Sequence, residues 1–278
     1  MIISGNKLKL SATSAFVLLL ASQECYKTKS AKRYLNQLDL SEGMFLYNWC
    51  REVCSFYHEV IKNRKFGVIN LVKKYFSERT QNQQLVIAAA GLDALGFEVK
   101  DLYPKAKIFE LDEENMDIKS DFSIKSGNMS FIHVNLLDAS EVYKNLIEHG
   151  WDPQKSTLLV FEGISYYIRL DSIQNLFKVL NPGFIIFEFL KKEDEIDVNR
   201  INIPRKVFGK ISSMCELPFI ARFSYQQLEK LFTPFLIKDK FSMHRLEKMR
   251  TGSNKFFPTN ESGWIEVCLL ENKIRTVV

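Results

Sequence analysis

The chain has 278 residues, 46% hydrophobic and 26% charged, so it can bury a full core, and we expect a soluble globular fold of one large domain or a domain with an appendage. Its net charge of +5 comes from lysines and arginines spread among acidic residues, which argues against nucleic acid as a partner. The five cysteines are an odd set in a chain too long to need disulfides. This favours a reducing compartment, and we expect a cytoplasmic protein.

Near the N-terminus the apolar run "SAFVLLLAS" follows basic residues, as in a signal peptide. Gln23 and Glu24, however, stand where a cleavage site needs small neutral residues, and a run of about ten apolar residues is too short to span a bilayer. Ser11 or Thr13 can instead cap a buried helix through residues 15–21. No other stretch has the pattern of a membrane span, so we expect no membrane partner.

Residues 1–80 are predicted to be helical throughout, because "GMFLYNWCREVCSFYHEVIKN" and "VINLVKKYFSER" carry apolar residues at helical spacing. In the first of these segments Cys50, Cys54 and His58 recur every four residues, along one stripe of a helix where they could hold a metal. No second cluster of cysteines and histidines supplies the remaining ligands. We therefore predict a buried apolar stripe and no metal site.

From residue 84 onward short β-type runs alternate with helical or loop segments, which is typical of a parallel sheet covered by helices. Five runs are predicted to form parallel strands: 84–90, 107–112, 129–137, 156–163 and 182–190. Two later runs, at 235–243 and 263–271, are separated by an irregular stretch without a helix signal and are predicted to pair antiparallel. Ser224 and Gln227 form the capping-box pattern of a helix ahead of them. These elements predict an α/β domain with a seven-stranded sheet.

In such a sheet, ligands bind at the carboxyl ends of the strands, which here carry the loop 89–91, Asp112, Asn135 and Glu162. Asp112 lies 21 residues after Gly91, close to the spacing of a carboxylate that binds ribose hydroxyls. A pyrophosphate needs bare glycine backbone in the loop, so the alanines there count against NAD and FAD. S-adenosylmethionine has an adenosine and no phosphate, and it is compatible with both the acid and the loop. The alternative is a plain strand-to-helix turn with a surface acid.

Four segments together resemble a known family: "AAAGLDALGFEV", "FELDEE", "HVNLLD" and "TLLVFEGISYYI" are similar to the motifs of the leucine carboxyl methyltransferase-like group of class I methyltransferases. The resemblance extends from about residue 11 to 271. It implies a Rossmann-like core over residues 81–278 with an antiparallel terminal hairpin, and an N-terminal helical cap over residues 1–80. It also implies S-adenosylmethionine as cofactor and S-adenosylhomocysteine as product. We expect the insertion at 191–222 to contribute to the substrate pocket.

By position, the resemblance implies that Ala89 and Gly91 line the methionine part of the cofactor and that Asp112 binds its ribose hydroxyls. It puts Asn135 and Leu136 beside the adenine. Two of these positions depart from the family, which has glycine at 89 and aspartate at 135, and the Thr-Arg pair after the loop aspartate is absent at 94–95. Asparagine can still accept a hydrogen bond, and an alanine methyl is small. A catalytically inactive homologue that binds the cofactor remains an alternative.

The resemblance also implies that Glu162 lies near the amino group of the cofactor. The arginine that the family has near its N-terminus is Ala21 here, so the carboxylate of the cofactor needs another cation. Arg64 and Lys65, a basic pair ahead of the first strand of the sheet, are our candidates. The alternative for this pair is a solvated helix end.

The acceptor predicted from the sequence is a carboxylate of a small molecule or peptide. A carboxylate already carries a nucleophilic lone pair, so the enzyme needs chiefly to align it with the methyl group and exclude water, and we predict no catalytic acid or base. A phenol or alcohol acceptor, the alternative, needs a general base, most often histidine, and none of the four histidines lies in a family motif. Tyr166 and Tyr167 are predicted to contact the acceptor.

Overall fold

The computed structural model describes residues 3–4, 7–79, 83–121 and 127–275. The N-terminal part is mostly helical, with a small sheet at its edge. Its elements in chain order are β1 (Ile3–Ser4), β2 (Lys7–Lys9), α1 (Ala12–Cys25), α2 (Lys29–Leu35), β3 (Leu38–Asp39), a 3-10 turn (Ser41–Gly43), α3 (Met44–Val53) and α4 (Tyr57–Ser77).

The rest of the chain forms a seven-stranded sheet with helices on both faces. Its strands are β4 (Gln84–Ala88), β5 (Lys107–Asp112), β6 (Met129–His133), β7 (Thr157–Phe161), β8 (Phe184–Leu190), β9 (Phe235–Ser242) and β10 (Ile265–Asn272). The helices are α5 (Leu95–Leu102), α6 (Met116–Asp121), α7 (Ala139–Glu148), α8 (Leu170–Leu180), α9 (Asn202–Met214), α10 (Tyr225–Leu231) and α11 (Met243–Thr251), with 3-10 turns at Glu193–Glu195 and Asn260–Ser262.

The strand order is β6-β5-β4-β7-β8-β10-β9, in which the first five strands are parallel and β10 runs antiparallel to both neighbours. This confirms the predicted α/β fold with a terminal antiparallel pair. Connections from β4 lead to β5 on one side, and the chain later returns to β7 on the other side. The carboxyl end of β4 is therefore the switch point where such sheets leave a crevice for ligands.

The central strands read as continuous apolar runs because helices cover both faces of the sheet. Every residue of β4 is buried. Leu85 and Ile87 pack into the core on one face, while Val86 and Ala88 pack on the other. Alternate residues along the strand thus pack into both cores, and the apolar run that follows Gln84 is the expected sequence of such a strand.

The prediction that residues 1–80 are helical throughout is wrong in two places. Strands β1, β2 and β3 form a three-stranded sheet. The helical stripe proposed for Cys50, Cys54 and His58 is interrupted, because α3 ends at Val53 and α4 begins at Tyr57. Both cysteines are buried in the apolar core. Within the described residues, no three His, Cys, Asp or Glu side chains are grouped to hold a metal ion.

The prediction of an irregular stretch between the last two strands is also wrong, since it contains α11. Ser242 caps this helix by accepting a hydrogen bond from the Arg245 amide at 3.2 Å. Its apolar face is narrow, with Met243 and Leu246 buried, which is why periodicity did not reveal it. Ahead of β9, the predicted capping box of Ser224 is present and begins α10.

Helix α1 spans more than the predicted 15–21 segment, and the Ser11 side chain does not cap it but donates to Ser14 instead. The domain boundary predicted between residues 80 and 81 lies outside the described residues, and the division into cap and core stays a prediction. No helix in the described part of the chain combines the length and apolar character needed to cross a membrane.

Candidate functional site

A cavity of about 240 Å³ opens at the carboxyl ends of β4 and β7. Its floor is made by the loops that follow these two strands, and its walls are faces of α1, α4 and α9. The sequence-predicted residues Ala89, Gly91 and Glu162 line it, as do both pairs predicted to bind carboxylates, Arg64-Lys65 and Tyr166-Tyr167. The predicted insertion contributes through α9.

The loop after β4 turns sharply under the cavity. Ala89 and Gly91 both have left-handed backbone, with φ of 50° and 48°. The Gly91 amide donates to Asp112 Oδ2 at 2.8 Å, and Asp112 Oδ1 accepts the Glu114 amide at 3.0 Å. The carboxylate of Asp112 therefore ties the loop to the end of β5 and keeps lone pairs that can accept further hydroxyl donors.

The residues predicted for the adenine lie at the end of β6, beside Asp112 rather than in the cavity wall. Asn135 Nδ2 donates to Glu113 Oε1 at 3.1 Å, and Asn135 Oδ1 accepts the Leu137 amide at 2.8 Å. Leu136 is buried in the core of the sheet's second face. The asparagine carbonyl is thus already engaged once, and its role toward an adenine stays a prediction.

Five charged side chains meet at the cavity floor. Glu162 accepts from Arg64 Nε at 3.1 Å and from Lys65 Nζ at 2.9 Å. Lys65 also pairs with Asp93 at 2.9 Å, and Arg64 Nη1 lies 3.8 Å from Glu188. Arg64 and Lys65 are each only 4% exposed, so the alternative of a solvated helix end is wrong for this pair. We call these five residues the charged cluster.

The charged cluster contains two cations and three carboxylates and carries a formal charge of −1 when all are ionised. Burial and the neighbouring charge of Glu162 raise the pKa of Glu188, against the opposing effect of Arg64. Burial alone would also raise the pKa of Asp93, but Lys65 and a hydrogen bond from Tyr26 at 2.5 Å hold it below its usual value. The cluster would therefore be stabilised by an additional positive group in the cavity.

The two tyrosines differ in what their hydroxyls do. Tyr166 donates to Glu188 Oε1 at 2.6 Å and accepts from Arg64 Nη1 at 3.3 Å. Its proton is thus committed within the protein. Tyr167 packs edge-on against the Tyr166 ring at 4.9 Å, and its hydroxyl has no hydrogen-bond partner among the described residues. Tyr167 is the one that has a donor left for a ligand.

Sequence reasoning missed two members of the charged cluster. Glu188 is a fully buried acid in the middle of "FIIFEFL", where a charge in a strand covered on both faces was a signal that a partner or ligand exists. Asp93 was quoted within the loop motif but given no role. Tyr26, which follows α1 and donates to Asp93, gave no such signal, because its partner is distant in sequence.

None of the four histidines lines the cavity. His58 pairs with Glu59 at 3.0 Å, and His133 is exposed at the end of β6. The rings of His149 and His244 bond to backbone carbonyls. The cavity therefore has no imidazole base within its walls.

Comparison with known proteins gives one family and several similar folds. The sequence model of the leucine carboxyl methyltransferase family matches residues 58–181. No curated protein matches the chain in sequence. Two solved structures superpose with a TM-score of 0.66 at 11% identity: a candidate methyltransferase from Thermobifida fusca YX, covering 90% of this chain and 97% of that one, and a DUF574 family protein from Streptomyces avermitilis MA-4680, covering 94% and 98%.

A third structure is the plantazolicin methyltransferase BamL, in complex with S-adenosylhomocysteine and a triazolic desmethylPZN analog. It has a TM-score of 0.51 at 12% identity and covers 88% of this chain and 97% of that one. At these identities the likenesses show the fold. The family match contains α4 with Arg64 and Lys65, the loop after β4, Asp112 and Glu162. Residues 58–181, which carry these site residues, are therefore similar to the leucine carboxyl methyltransferase family.

Proposed function

We propose that this protein transfers the methyl group of S-adenosylmethionine to a carboxylate of a small molecule or peptide, forming a methyl ester. The observation that carries the proposal is the charged cluster, which lies at the switch point of the sheet and borders a cavity without a histidine. The charges of the cluster complement those of the cofactor. A cavity without a histidine base suits an acceptor from which no proton has to be removed.

The cofactor fits the cluster by charge. S-adenosylmethionine carries a sulfonium, an ammonium and a carboxylate, so its formal charge of about +1 complements the charge of −1 in the cluster. Glu162 supplies a carboxylate for the ammonium. Asp112, at the end of β5 two strands away, accepts the ribose hydroxyls, with Ala89 and Gly91 against the methionine part and Asn135 and Leu136 toward the adenine.

Arg64 is better able than Lys65 to bind the carboxylate of the cofactor. Lys65 already holds two carboxylates, Asp93 and Glu162, each at 2.9 Å. Arg64 uses Nε and Nη1 within the cluster, while its Nη2 has no partner among the described residues. The two N–H groups of Nη2 are therefore available to a ligand. They are enough to bind a carboxylate and orient it.

The acceptor is aligned rather than activated. S-adenosylmethionine supplies an electrophilic methyl group when bound. The acceptor oxygen attacks this carbon with its own lone pair, the electron pair of the broken C–S bond stays on sulfur, and no proton is removed. Tyr167 orients the carboxylate with its free hydroxyl, while Phe16 and Phe208 in the cavity wall exclude water.

The test is a transfer assay with radiolabelled S-adenosylmethionine and a panel of acids and phenols. We expect label that alkali releases as volatile methanol, because esters hydrolyse in base and aryl ethers do not. Label that stays bound in alkali would instead identify a hydroxyl methyltransferase. Cofactor binding by calorimetry without transfer to any acceptor would support the inactive homologue.

A further inference from the structure

A second recess lies on the far side of α9 from the cavity, and we call it the α9 groove. Its walls are one face of α9 and the segment 216–222 that follows the helix. Phe208 lines both the cavity and the groove and is 4% exposed. Phe208 is thus a wall residue of both spaces.

Helical spacing explains how α9 serves both spaces. Phe208 and Ile211 lie three residues apart and face the cavity. Arg205, Gly209 and Ser212 follow at intervals of four and three and face the groove. Helix α9 thus stands between the two spaces. The side that faces the cavity is apolar, and the side that faces the groove is partly apolar.

The opposite wall of the groove is held in place by backbone contacts. Leu217 donates its amide to the Ser212 carbonyl at 2.9 Å, and the Ser212 hydroxyl donates to the Leu217 carbonyl at 3.0 Å. Further along, the Ala221 amide donates to the Tyr166 carbonyl at 2.9 Å. The groove is thus built onto the same loop that presents the acceptor tyrosines.

We propose that the α9 groove binds the uncharged chain of an extended carboxylic acid whose carboxylate lies in the cavity. This proposal rests on the proposed function. The cavity alone must hold the methionine part of the cofactor, and its volume of about 240 Å³ leaves room for little more than the reacting end of the acceptor. The chain then leaves past Phe208 and lies against Leu217 and Ile220, both half-buried side chains of the groove.

Charge in the groove favours a neutral chain over a second acidic group. Arg205 Nε donates to Glu193 Oε1 at 3.0 Å, and Arg222 Nη2 lies 3.2 Å from the same oxygen. Both guanidiniums at this end share Glu193, and Glu216 also lines the groove, so the two positive charges are balanced by two negative ones. An additional anion would have to compete with Glu193, whereas methylene groups need only the apolar surface.

Gly209 offers a way to block the groove without disturbing the fold. A Cβ atom added there meets no atom within 4 Å, and the residue lies inside a helix, so the backbone leaves room for a larger side chain to extend into the groove. Replacing glycine in a helix also favours helix formation. Gly209→Leu should therefore fold at least as well as the wild type, which thermal unfolding can verify, while its side chain occupies the groove.

The experiment compares a long unbranched acid, decanoate, with a short one, butyrate. We expect Gly209→Leu to lower the ratio of kcat/KM for decanoate over butyrate by about tenfold or more, as loss of contact with about two methylene groups predicts. Lys206→Leu, which adds the same side chain to an exposed position of α9 outside the groove, should leave the ratio unchanged. An unchanged ratio in Gly209→Leu would overturn the proposal.

A binding measurement keeps the test independent of turnover. Decanoate titrated into protein saturated with S-adenosylhomocysteine should bind the wild type and Lys206→Leu equally, and Gly209→Leu more weakly. Equal binding to all three proteins would overturn the groove proposal even if esters are formed. Weaker binding to Gly209→Leu without any ester formation would support the groove and count against the proposed reaction.

Discussion

Asp112 is the side chain at which a single substitution tests the cofactor site most directly. Its carboxylate accepts the amides of Gly91 and Glu114, and the proposed ribose hydroxyls would add two charge-assisted hydrogen bonds. Asp112→Ala should weaken S-adenosylmethionine binding by about 1.5–3 kcal/mol, roughly 10- to 150-fold. Isothermal calorimetry measures this, with Glu148→Ala, an exposed acid on α7, as the control. Unchanged affinity would remove Asp112 from the site.

Ala89 occupies a backbone conformation that suits glycine. Its φ of 50° costs an alanine about 1–2 kcal/mol, whereas glycine adopts it freely but loses about 0.5–1 kcal/mol of additional chain entropy on folding. Ala89→Gly should therefore leave the free energy of unfolding equal or raise it by up to about 1.5 kcal/mol. Urea unfolding checks this against Ala90→Gly in the same loop, which gains no relief and should destabilise. A clear loss of stability in Ala89→Gly would show that the methyl group is needed for packing.

Between elements, the contact of β5 with α6 includes a buried ion pair that the sequence did not predict. Glu110 and Lys119 lie 2.7 Å apart and are 1% and 0% exposed. Burial raises the pKa of Glu110 to about 7, against the lowering effect of Lys119. A carboxyl group whose pKa is higher in the folded than in the unfolded chain contributes stability at low pH, and this contribution is lost as pH rises through the folded pKa.

Glu110→Gln removes this titration while keeping the shape of the side chain. The free energy of unfolding of the wild type minus that of Glu110→Gln should therefore fall between pH 5 and pH 8, by at most about 1.4 kcal/mol per pH unit. Urea midpoints at four pH values measure the difference. A difference that stays constant over this range would mean that Glu110 does not titrate there.

Element by element, the sequence predicted what its local pattern determines. The strands that are buried on both faces consist mostly of apolar residues, so β4, β5, β7 and β8 were found with small errors at their ends. Strands β1 and β3 have two residues each and exist only through pairing with β2, so no periodicity could reveal them.

The candidate site also has one part that local sequence patterns predict and another part that they do not. Gly91, Asp112 and Glu162 follow predictable strands, and topology alone brings them to one edge of the sheet. Glu188 and Asp93 join them through contacts that depend on side-chain direction and on the docking of α4. Those contacts connect residues about a hundred positions apart, such as Arg64 and Glu162, which local patterns do not encode.

For the whole molecule, the reaction itself predicts how rate depends on pH. Ester formation on a carboxylate needs no proton removal, so initial rates should change little from pH 6 to 9, above the pKa of the acceptor acid. Tyr167→Phe should lower the rate without introducing a pH dependence. Rates with the best acceptor found, measured for both proteins, test this. A steep rise near pH 7 that disappears on substitution of His133 or His244 would require a base-catalysed mechanism on a hydroxyl group.

Helix α4 has a consequence for how ligands reach the site. It packs against α1 and α3 of the predicted cap and against β10 and α11 of the core, and the buried Arg64 and Lys65 lie near its middle. A hinge motion that swung the cap away as a rigid body would have to carry these cations with it or break α4. Either route separates Glu162 from both of its partners and leaves its carboxylate without the positive charges that compensate it. We therefore expect α4 to stay in place. The acceptor and the product should enter and leave through small displacements of α9.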